Sequence, residues 1–285
     1  MNVPVYRFAP SPNGHLHLGH AYSAILNYEA AQKSGGRFLL RIEDIDTVRC
    51  TPQLQQDMLE DLNWLGLQWE LPVRKQSEHF GDYTKALQKL EALGVVYKAY
   101  LTRAQIKRFV AKQDASDTPW PRDPDGAPLY PGDNNVLTKQ EQEALHHSEA
   151  PYARRLNMAK AIELAGSPLS WNEAHHGPIQ ANPADWGDVV LARKDTPTSY
   201  HLSVVVDDAL QGITHILRGK DLYHATSVHR LLQTLLDLPE PYYEHHKLIL
   251  DETGRKLAKS AKDTALRELR ASGVTPSQIR ARLGL

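Results

Sequence analysis

The first 42 residues of the chain predict a strand, a helix and a second strand in close succession. Residues 3–9 are rich in β-branched and aromatic side chains and end at Pro10, which indicates a buried strand. Residues 18–33 repeat apolar side chains at spacings of three and four, which indicates a helix, and residues 37–42 form a second apolar run. A strand-helix-strand unit of this length joins two parallel strands. The chain is therefore predicted to be an α/β protein with a parallel sheet buried on both faces.

The loop between the first strand and the helix carries the first candidate site. Residues 10–20 read Pro-Ser-Pro-Asn-Gly-His-Leu-His-Leu-Gly-His, so two histidines stand where the helix begins. Open α/β sheets bind ligands at the carboxyl ends of their strands, and a helix N-terminus attracts anions. Gly19 leaves room for a ligand to approach the backbone. We expect His17, Gly19 and His20 to bind the phosphates of ATP, with the two histidines catalytic, and we assign no role to His15.

A second basic segment lies near the other end of the chain. It reads Lys-Leu-Ala-Lys-Ser over residues 256–260. On its own this segment is typical of an exposed basic loop. Together with the two histidines it suggests adenylation driven by ATP, in which Lys256 binds the nucleotide and Lys259 neutralises the departing pyrophosphate.

An acidic run follows the second strand at the same predicted sheet edge. Glu43 in that run could bind a substrate ammonium group, and Arg7 and Arg218 could bind carboxylates through two parallel hydrogen bonds. The alternative is an ordinary acidic turn or a surface ion pair, which contributes little. We favour the binding role because Arg7 ends a buried strand, where an unpaired guanidinium is costly.

Composition narrows the class of protein. The chain has 285 residues, 41% of them hydrophobic and 24% charged, which is typical of a globular protein of about two domains. Its net charge of −1 argues against an obligate DNA-coating protein. Residues 251–285 hold eight basic and four acidic side chains, which fits either a solvated helical surface or a contact with a polyanion. A single cysteine, Cys50, excludes an internal disulfide and a cysteine-based zinc cluster. The chain shows neither a signal peptide nor a membrane span, so we expect a cytoplasmic protein.

The rest of the chain is predicted to add helices, two short strands and an insertion. The predicted helices are residues 52–65, 77–93, 102–112, 225–236, 264–271 and a last one opened by Thr275 and Pro276; the strands are 214–217 and 247–250. Residues 114–135 contain five prolines and are predicted to form a long loop. We expect the sheet to resume near residues 188–191. The predicted divisions are a first catalytic half (1–95), an inserted subdomain (96–185), a second catalytic half (186–250) and a basic loop with C-terminal helices (251–285).

The motifs together resemble the class I aminoacyl-tRNA synthetases of the glutamate and glutamine branch. Residues 17–20 are similar to the HIGH motif, and residues 256–260 are similar to the KMSKS motif with Ala258 in place of serine. Residues 7–19, 41–46, 206–208 and 212–219 extend the resemblance over nearly the whole chain. It implies a Rossmann-like catalytic domain with an inserted acceptor-binding-type subdomain. It also implies that glutamate is held by Arg7, Phe8, Ala9, Pro10, Ser11, Glu43, Tyr200 and Arg218.

Within that branch, length favours one subfamily. A full glutamyl-tRNA synthetase continues into a large anticodon-binding region, whereas only 25 residues follow Ser260 here. The chain is thus similar to the stand-alone paralogues that activate L-glutamate with ATP, without tRNA, and transfer it to queuosine in the anticodon of tRNA(Asp). That similarity implies Mg²⁺ accompanying ATP and a monomer. Many members bind zinc in the insertion; the matching positions here are Ala99, Leu101, Tyr130 and Asn134, so we predict no metal site.

Three alternatives stay open at this point. One is a small nucleotidyltransferase that uses its His-x-Gly-His segment to join a nucleotide to a phosphorylated alcohol. Another is a non-catalytic tRNA-binding paralogue. The last is a truncated glutamyl-tRNA synthetase that charges the 3′ end of tRNA.

Overall fold

A computed structural model describes residues 3–166, 168–250 and 264–285. The described strands are β1 (Val5–Phe8), β2 (Arg37–Ile42), β3 (Glu70–Lys75), β4 (Val96–Ala99), β5 (Ala153–Leu156), β6 (Ser170–Glu173), β7 (Gly177–Gln180), β8 (Val190–Ala192), β9 (His215–Gly219) and β10 (Tyr242–His246). The described helices are α1 (Leu18–Ser34), α2 (Pro52–Trp64), α3 (Phe80–Ala92), α4 (Arg103–Asp114), α5 (Lys139–His146), α6 (Met158–Ala165), α7 (Tyr200–Leu210), α8 (Thr226–Leu236), α9 (Leu266–Ala271) and α10 (Pro276–Leu283).

The predicted strand-helix-strand unit at the N-terminus is confirmed. Strands β1 and β2 are parallel, with Val5 opposite Arg37 and Phe8 opposite Leu40, and α1 connects them. Helix α1 ends at Gly35, which adopts the left-handed conformation that glycine tolerates best. The small side chains Ala21, Ala24 and Ala31 on the buried face of α1 let the helix lie close to the sheet. The loop between β1 and α1 therefore opens at the carboxyl end of the first strand.

A second sheet lies next to β1. Its order is β7-β6-β10-β9, in which β10 is parallel to both β9 and β6, and β7 is antiparallel to β6. Val5 links the two sheets, because its amide donates to Thr214 Oγ1 at 2.8 Å and its carbonyl accepts from the Thr214 amide at 3.1 Å. Asn27 in α1 also donates to the Leu217 carbonyl of β9 at 2.8 Å. These bonds bring β9 next to the N-terminal unit.

Two predictions about the sheet are wrong. Residues 247–250 do not form the last strand; that strand is β10, immediately before them, in which Tyr243 is deeply buried. Residues 188–191 do not resume the parallel sheet either, since β8 pairs antiparallel with β5 in a separate sheet of order β4-β5-β8. An apolar run indicates a strand but carries no information on its partner, which is why the second error arose.

The Pro-rich segment forms a long connection, as predicted. It contains one isolated bridge, between Arg122 and Pro128, and it follows α4 directly. Trp120 holds it in place: the indole ring packs edge-on against Phe109 with centroids 5.0 Å apart, and its Nε1 donates to the Leu129 carbonyl at 2.9 Å.

The C-terminal helices pack on the N-terminal unit through ion pairs as well as apolar contacts. Arg267 donates to Asp57 at 2.5 Å, Arg270 contacts Glu60 at 3.4 Å, and Arg280 pairs with Glu29. Within the described residues 264–285, three of the four basic side chains therefore pair with carboxylates of α1 and α2, which indicates a structural role for these three. In the described ranges, no helix combines the length and the apolar character needed to span a membrane.

Candidate active site

A cavity of about 520 Å³ lies where four strands end. Its walls come from the residues that follow β1 and β2 and from the last residues of β9 and β10. Its lining includes every residue predicted to bind glutamate and, from the predicted nucleotide site, His17, Gly19 and His20. Lys256 and Lys259 lie outside the described residues. Side chains predicted from separate parts of the chain thus surround one space of a size suited to a small ligand.

The two histidines form the first turn of α1. His17 is the residue that caps this helix: its Nδ1 accepts from the Gly19 amide at 3.1 Å, while His20 Nδ1 accepts from the His17 amide at 3.2 Å. The rings lie 3.9 Å apart between centroids. Because each Nδ1 is an acceptor, a neutral ring carries its proton on Nε2. Both imidazoles can therefore offer an Nε2–H donor at the positive end of a helix.

Gly19 lies close to the imidazole ring of His17. A Cβ atom at this position would lie 3.0 Å from Cε1 and 3.1 Å from Nδ1 of His17. The sequence predicted that glycine here makes room for a ligand. The described geometry adds a second reason, because a Cβ atom here would make the His17 ring shift by a few tenths of an ångström.

Arg7 has an internal partner that the sequence prediction lacked. Its side chain is only 5% exposed, and its Nε and Nη2 donate to the two carboxylate oxygens of Asp208 at 3.0 and 3.3 Å. The argument that Arg7 needs a substrate carboxylate to avoid being unpaired is therefore wrong. Arg7 still lines the cavity, with its Nε and Nη2 bound to Asp208.

Asp208 and Glu43 share a second buried arginine. Arg41 Nη1 donates to Asp208 at 2.7 Å, and its Nη2 donates to Glu43 at 3.1 Å. Burial raises the pKa of Glu43, and the charges of Arg41 and Arg7 oppose that rise. Burial acts in the same direction on Asp208, but there Arg7 and Arg41 prevail and lower the pKa. Glu43 is held in place after β2, where its amide donates to the Pro10 carbonyl at 3.0 Å.

Arg218 is held differently, by neutral acceptors. It is the next-to-last residue of β9 and is 4% exposed. Its guanidinium donates to two ring nitrogens, a hydroxyl and a carbonyl at 2.8–3.2 Å, which belong to His245, His229, Thr226 and Leu222. Its contact with the Tyr200 hydroxyl is the longest, at 3.5 Å. No described carboxylate forms an ion pair with Arg218. A buried positive charge without an anionic partner among these residues is a site prepared for an anion.

Several residues that build the site were not predicted individually. Asp208, Arg41, His229 and His245 position the predicted ones, and Leu222 and Asn13 add to the lining. One signal in the sequence could have found Asp208, namely two adjacent aspartates within the apolar run of residues 202–210. A buried carboxylate needs a charged partner, and the arginines of β1 and β2 are the nearest candidates.

The positions that would match a zinc site do not fit a metal ion. Ala99 and Leu101 have no side-chain donor atom, and the Tyr130 hydroxyl donates to Asp133. The described residues contain no group of three or more histidine, cysteine or acidic side chains placed to bind a metal. Asp133 occupies the centre of this region instead, where its carboxylate also accepts from the Tyr100 amide at 3.1 Å.

The chain is similar to known proteins over nearly its whole length. The family described as class I tRNA synthetases (E and Q), catalytic domain, matches residues 3–285. A glutamyl-Q tRNA(Asp) synthetase from Rhodobacter capsulatus is 45% identical, over 99% of this chain and 100% of its own length. A glutamate–tRNA ligase from a Synechococcus strain is 35% identical over 98% of this chain, which spans 56% of that protein. The crystal structure of a glutamate–tRNA synthetase from Elizabethkingia anophelis superposes with a TM-score of 0.74 at 26% identity, over 92% of this chain and 54% of that one.

Proposed function

The chain belongs to the class I tRNA synthetases of the glutamate and glutamine type and is a ligase-type enzyme, and on that premise we propose that it transfers L-glutamate to queuosine in tRNA(Asp). In the proposed reaction, ATP first converts glutamate to glutamyl-adenylate without any RNA. The glutamyl group then passes to a hydroxyl of the queuosine base in the anticodon.

The observation that supports this proposal most directly is that Arg218 is buried at the cavity without a described anionic partner. Its guanidinium is buried, lines the cavity and donates only to neutral described partners. The α-carboxylate of glutamate has to reach the phosphorus of ATP, which leaves the side-chain carboxylate to pair with a buried arginine. We therefore place the side-chain carboxylate on Arg218, where it would replace the long contact with Tyr200 and accept from both Nη1 and the tyrosine hydroxyl.

Glu43 places a negative charge in the cavity that Arg218 also lines. A ligand with a carboxylate on Arg218 and an ammonium group on Glu43 is an amino acid with an acidic side chain. The ion pairs of Arg7 and Arg41 with Asp208 hold this part of the wall rigid. In this proposal Arg7, which is ion-paired with Asp208, holds the cavity wall in position and does not bind the substrate through two parallel hydrogen bonds.

In the proposed reaction, His17 and His20 interact with the phosphate groups of ATP. An oxygen of the glutamate α-carboxylate attacks the α-phosphorus, the bond from that phosphorus to the bridging oxygen breaks, and pyrophosphate leaves. Nε2–H donors at the start of α1 would stabilise the charge that develops on the phosphate oxygens. Mg²⁺, when bound to the phosphates, would offset part of their charge while keeping most of its water ligands. We propose Lys256 and Lys259 as the groups that bind the nucleotide and the departing pyrophosphate.

The second step joins the adenylate to RNA. A queuosine hydroxyl attacks the carbonyl carbon of the mixed anhydride, AMP leaves, and the hydroxyl proton passes to water. The base has to leave the anticodon stack to reach the cavity. Support for this acceptor comes from the relative that is 45% identical over its whole length, whose name specifies glutamyl-Q tRNA(Asp).

Two measurements test the proposal. The first is pyrophosphate–ATP exchange without RNA, which we expect to depend on glutamate in the wild type and to fall at least 100-fold in Arg218→Lys, since lysine cannot reproduce the guanidinium geometry. The matched control is Arg37→Lys at a half-exposed ion pair, which should leave exchange unchanged. Folded wild-type protein without exchange would refute the activation step.

The second measurement is the transfer of labelled glutamate to tRNA(Asp) with and without queuosine. Transfer only to the queuosine-containing tRNA is the expected result. Equal transfer to both forms would instead establish charging at the 3′ end, which is the second candidate and is the reaction named for the 35% identical Synechococcus relative.

A further inference from the structure

Two histidines hold Arg218, and neither of them is among the described residues that line the cavity. Arg218 Nε lies 3.1 Å from His245 Nε2, and Arg218 Nη1 lies 3.2 Å from His229 Nδ1. A guanidinium group only donates hydrogen bonds. Each of these ring nitrogens must therefore be the acceptor, which requires both imidazoles to be neutral.

A second contact on each ring fixes where its proton resides. His229 Nε2 is 3.2 Å from His201 Nδ1, so the His229 proton lies on Nε2 and is donated to His201. His245 Nδ1 is 2.8 Å from the Glu173 carboxylate, so the His245 proton lies on Nδ1. The two rings thus adopt opposite tautomers, each of which directs a lone pair at Arg218.

The surroundings keep these rings neutral. Burial lowers the pKa of His229 well below its ordinary value, and the charge of Arg218 adds to that effect. Burial and Arg218 likewise lower the pKa of His245 to about 4, against the opposing charge of Glu173. The pKa of His201 is lowered to about 4 for the same two reasons. The groups that face these rings from neighbouring elements include Arg7 and His246, and neither supplies a negative charge.

Neutral acceptors orient Arg218 without cancelling its charge. Asp208 shows the contrast, because its carboxylate both orients and neutralises Arg7. With imidazole nitrogens in that place, Arg218 retains a full charge for a ligand in the cavity.

We propose that His229 and His245 are positioning residues that aim the Arg218 guanidinium at the side-chain carboxylate of the substrate. This inference rests on the function proposed above. Its consequence is that the loss of one acceptor weakens glutamate binding while ATP binding is retained. The expected size is roughly 10- to 100-fold in KM, the range for a hydrogen bond to a charged group.

Three variants in α8 test it by pyrophosphate–ATP exchange. His229→Leu removes the acceptor and should raise the KM for glutamate 10- to 100-fold, with the KM for ATP within about 2-fold. His229→Asn restores an acceptor oxygen close to the Nδ1 position and should recover most of the loss. The matched control is Gln233→Leu, which removes a buried polar side chain of the same helix that bonds to Tyr243 and Arg230 rather than to Arg218.

A spectroscopic measurement on the wild type does not depend on activity. Long-range proton–nitrogen spectra of ¹⁵N-histidine-labelled protein at pH 7 identify which ring nitrogen lacks a proton, with His229→Asn and His245→Asn used for assignment. We expect Nδ1 of His229 and Nε2 of His245 to be unprotonated. A doubly protonated ring at either position, or a His229→Leu variant whose two KM values match those of Gln233→Leu, would overturn the proposal. A wild type with the expected tautomers but without glutamate-dependent exchange would refute the proposed function and leave the orientation of Arg218 intact.

Discussion

Arg7 and Asp208 form a buried ion pair with two hydrogen bonds, although 201 residues separate them in the chain. Arg7 comes from β1 and Asp208 from α7, so the pair ties the N-terminal unit to the part of the chain that follows the β4-β5-β8 sheet. Arg41 adds a third charge at 2.7 Å from the same carboxylate. A single aspartate thereby fixes Arg7, which lines the cavity, and Arg41, which is fully buried.

We predict that Asp208→Ala destabilises the protein by about 3–5 kcal/mol, because it leaves two buried guanidinium groups without their main partner. Urea denaturation followed by circular dichroism measures the change. The control is Glu70→Ala, which breaks the exposed ion pair with Arg37 and should cost less than about 1 kcal/mol. Equal effects in the two variants would contradict the central role of Asp208.

Glu43→Gln tests the ammonium site. The variant keeps the size of the side chain but removes its charge, so we expect the KM for glutamate to rise roughly 10- to 100-fold in pyrophosphate–ATP exchange. Glutarate, which lacks the amino group, is a matched probe: its inhibition constant should be the same in wild type and variant. If the variant binds glutarate as much more weakly as it binds glutamate, then Glu43 supports the cavity wall and does not bind the ammonium group.

Gly19→Ala tests the position of His17. The new methyl group would lie 3.0 Å from the imidazole, so the ring has to move by a few tenths of an ångström or more. We expect kcat for exchange to fall by about 10-fold with little change in the KM for glutamate, because only the phosphate-facing donor is displaced. Gly81→Ala at the start of α3, where a Cβ meets nothing within 4 Å, is the control and should leave kcat unchanged.

Asp61 makes stability depend on pH. Its side chain is 1% exposed, neither carboxylate oxygen has a hydrogen-bond partner in the described chain, and burial raises its pKa from 3.8 to about 6. The native state therefore holds this proton more tightly than the unfolded state does. Stability from this group is present at low pH and is lost as pH rises from about 4 to 6.

We accordingly predict that Asp61→Asn is more stable than the wild type by about 2 kcal/mol at pH 8, and by about half as much at pH 5. Urea denaturation at the two pH values measures the difference. Glu60→Gln, at a half-exposed neighbour on the same helix, should show no such dependence. A variant that is no more stable than the wild type at pH 8 would show that Arg270, 3.7 Å away, compensates the buried charge.

The sequence predicted those helices and strands whose own residues show a clear apolar pattern or a clear end. Strand β2 and helix α1 agree with the prediction because apolar periodicity and a glycine stop mark them. Strand β3 was not predicted, since Pro72 interrupts it; the strand lies at the outside of the β1-β2-β3 sheet, where a proline is tolerated. The last strand was predicted a few residues too late in the chain. The side chains of β10 are aromatic and polar, whereas the residues that follow it form an apolar run, which is the pattern used to predict a strand.

For the candidate site, the sequence predicted many of the residues that line the cavity but not the partners that hold them. Residues at strand ends, such as Glu43 and Arg218, could be placed at one sheet edge by topology alone. The partners that hold them come from α7, α8 and β10, and nothing in local sequence specifies that His229 or His245 will point at Arg218. Long-range pairing of buried polar groups is a property of the packed fold, which is why Arg7 was expected to bind substrate and was found bound to Asp208.

The Pro-rich connection of residues 114–135 is the subject of the last prediction. Asp133 accepts hydrogen bonds from the Tyr130 hydroxyl and the Tyr100 amide, and the Arg155 guanidinium lies 3.7 Å from the centre of the Tyr130 ring. These contacts join the Pro-rich connection to the strands β4 and β5. A carboxylate with two donors and a stacked arginine can hold such a connection without any ion.

We therefore expect Asp133→Ala to lower stability by about 2 kcal/mol and to speed proteolysis within residues 114–135, because the amide and the hydroxyl lose their acceptor. Asp117→Ala, at an exposed position of the same connection, should change neither property. Prolonged treatment of the wild type with EDTA should leave the melting temperature unaltered. A fall in melting temperature on chelation, reversed by Zn²⁺, would contradict this account and show that the protein depends on a metal.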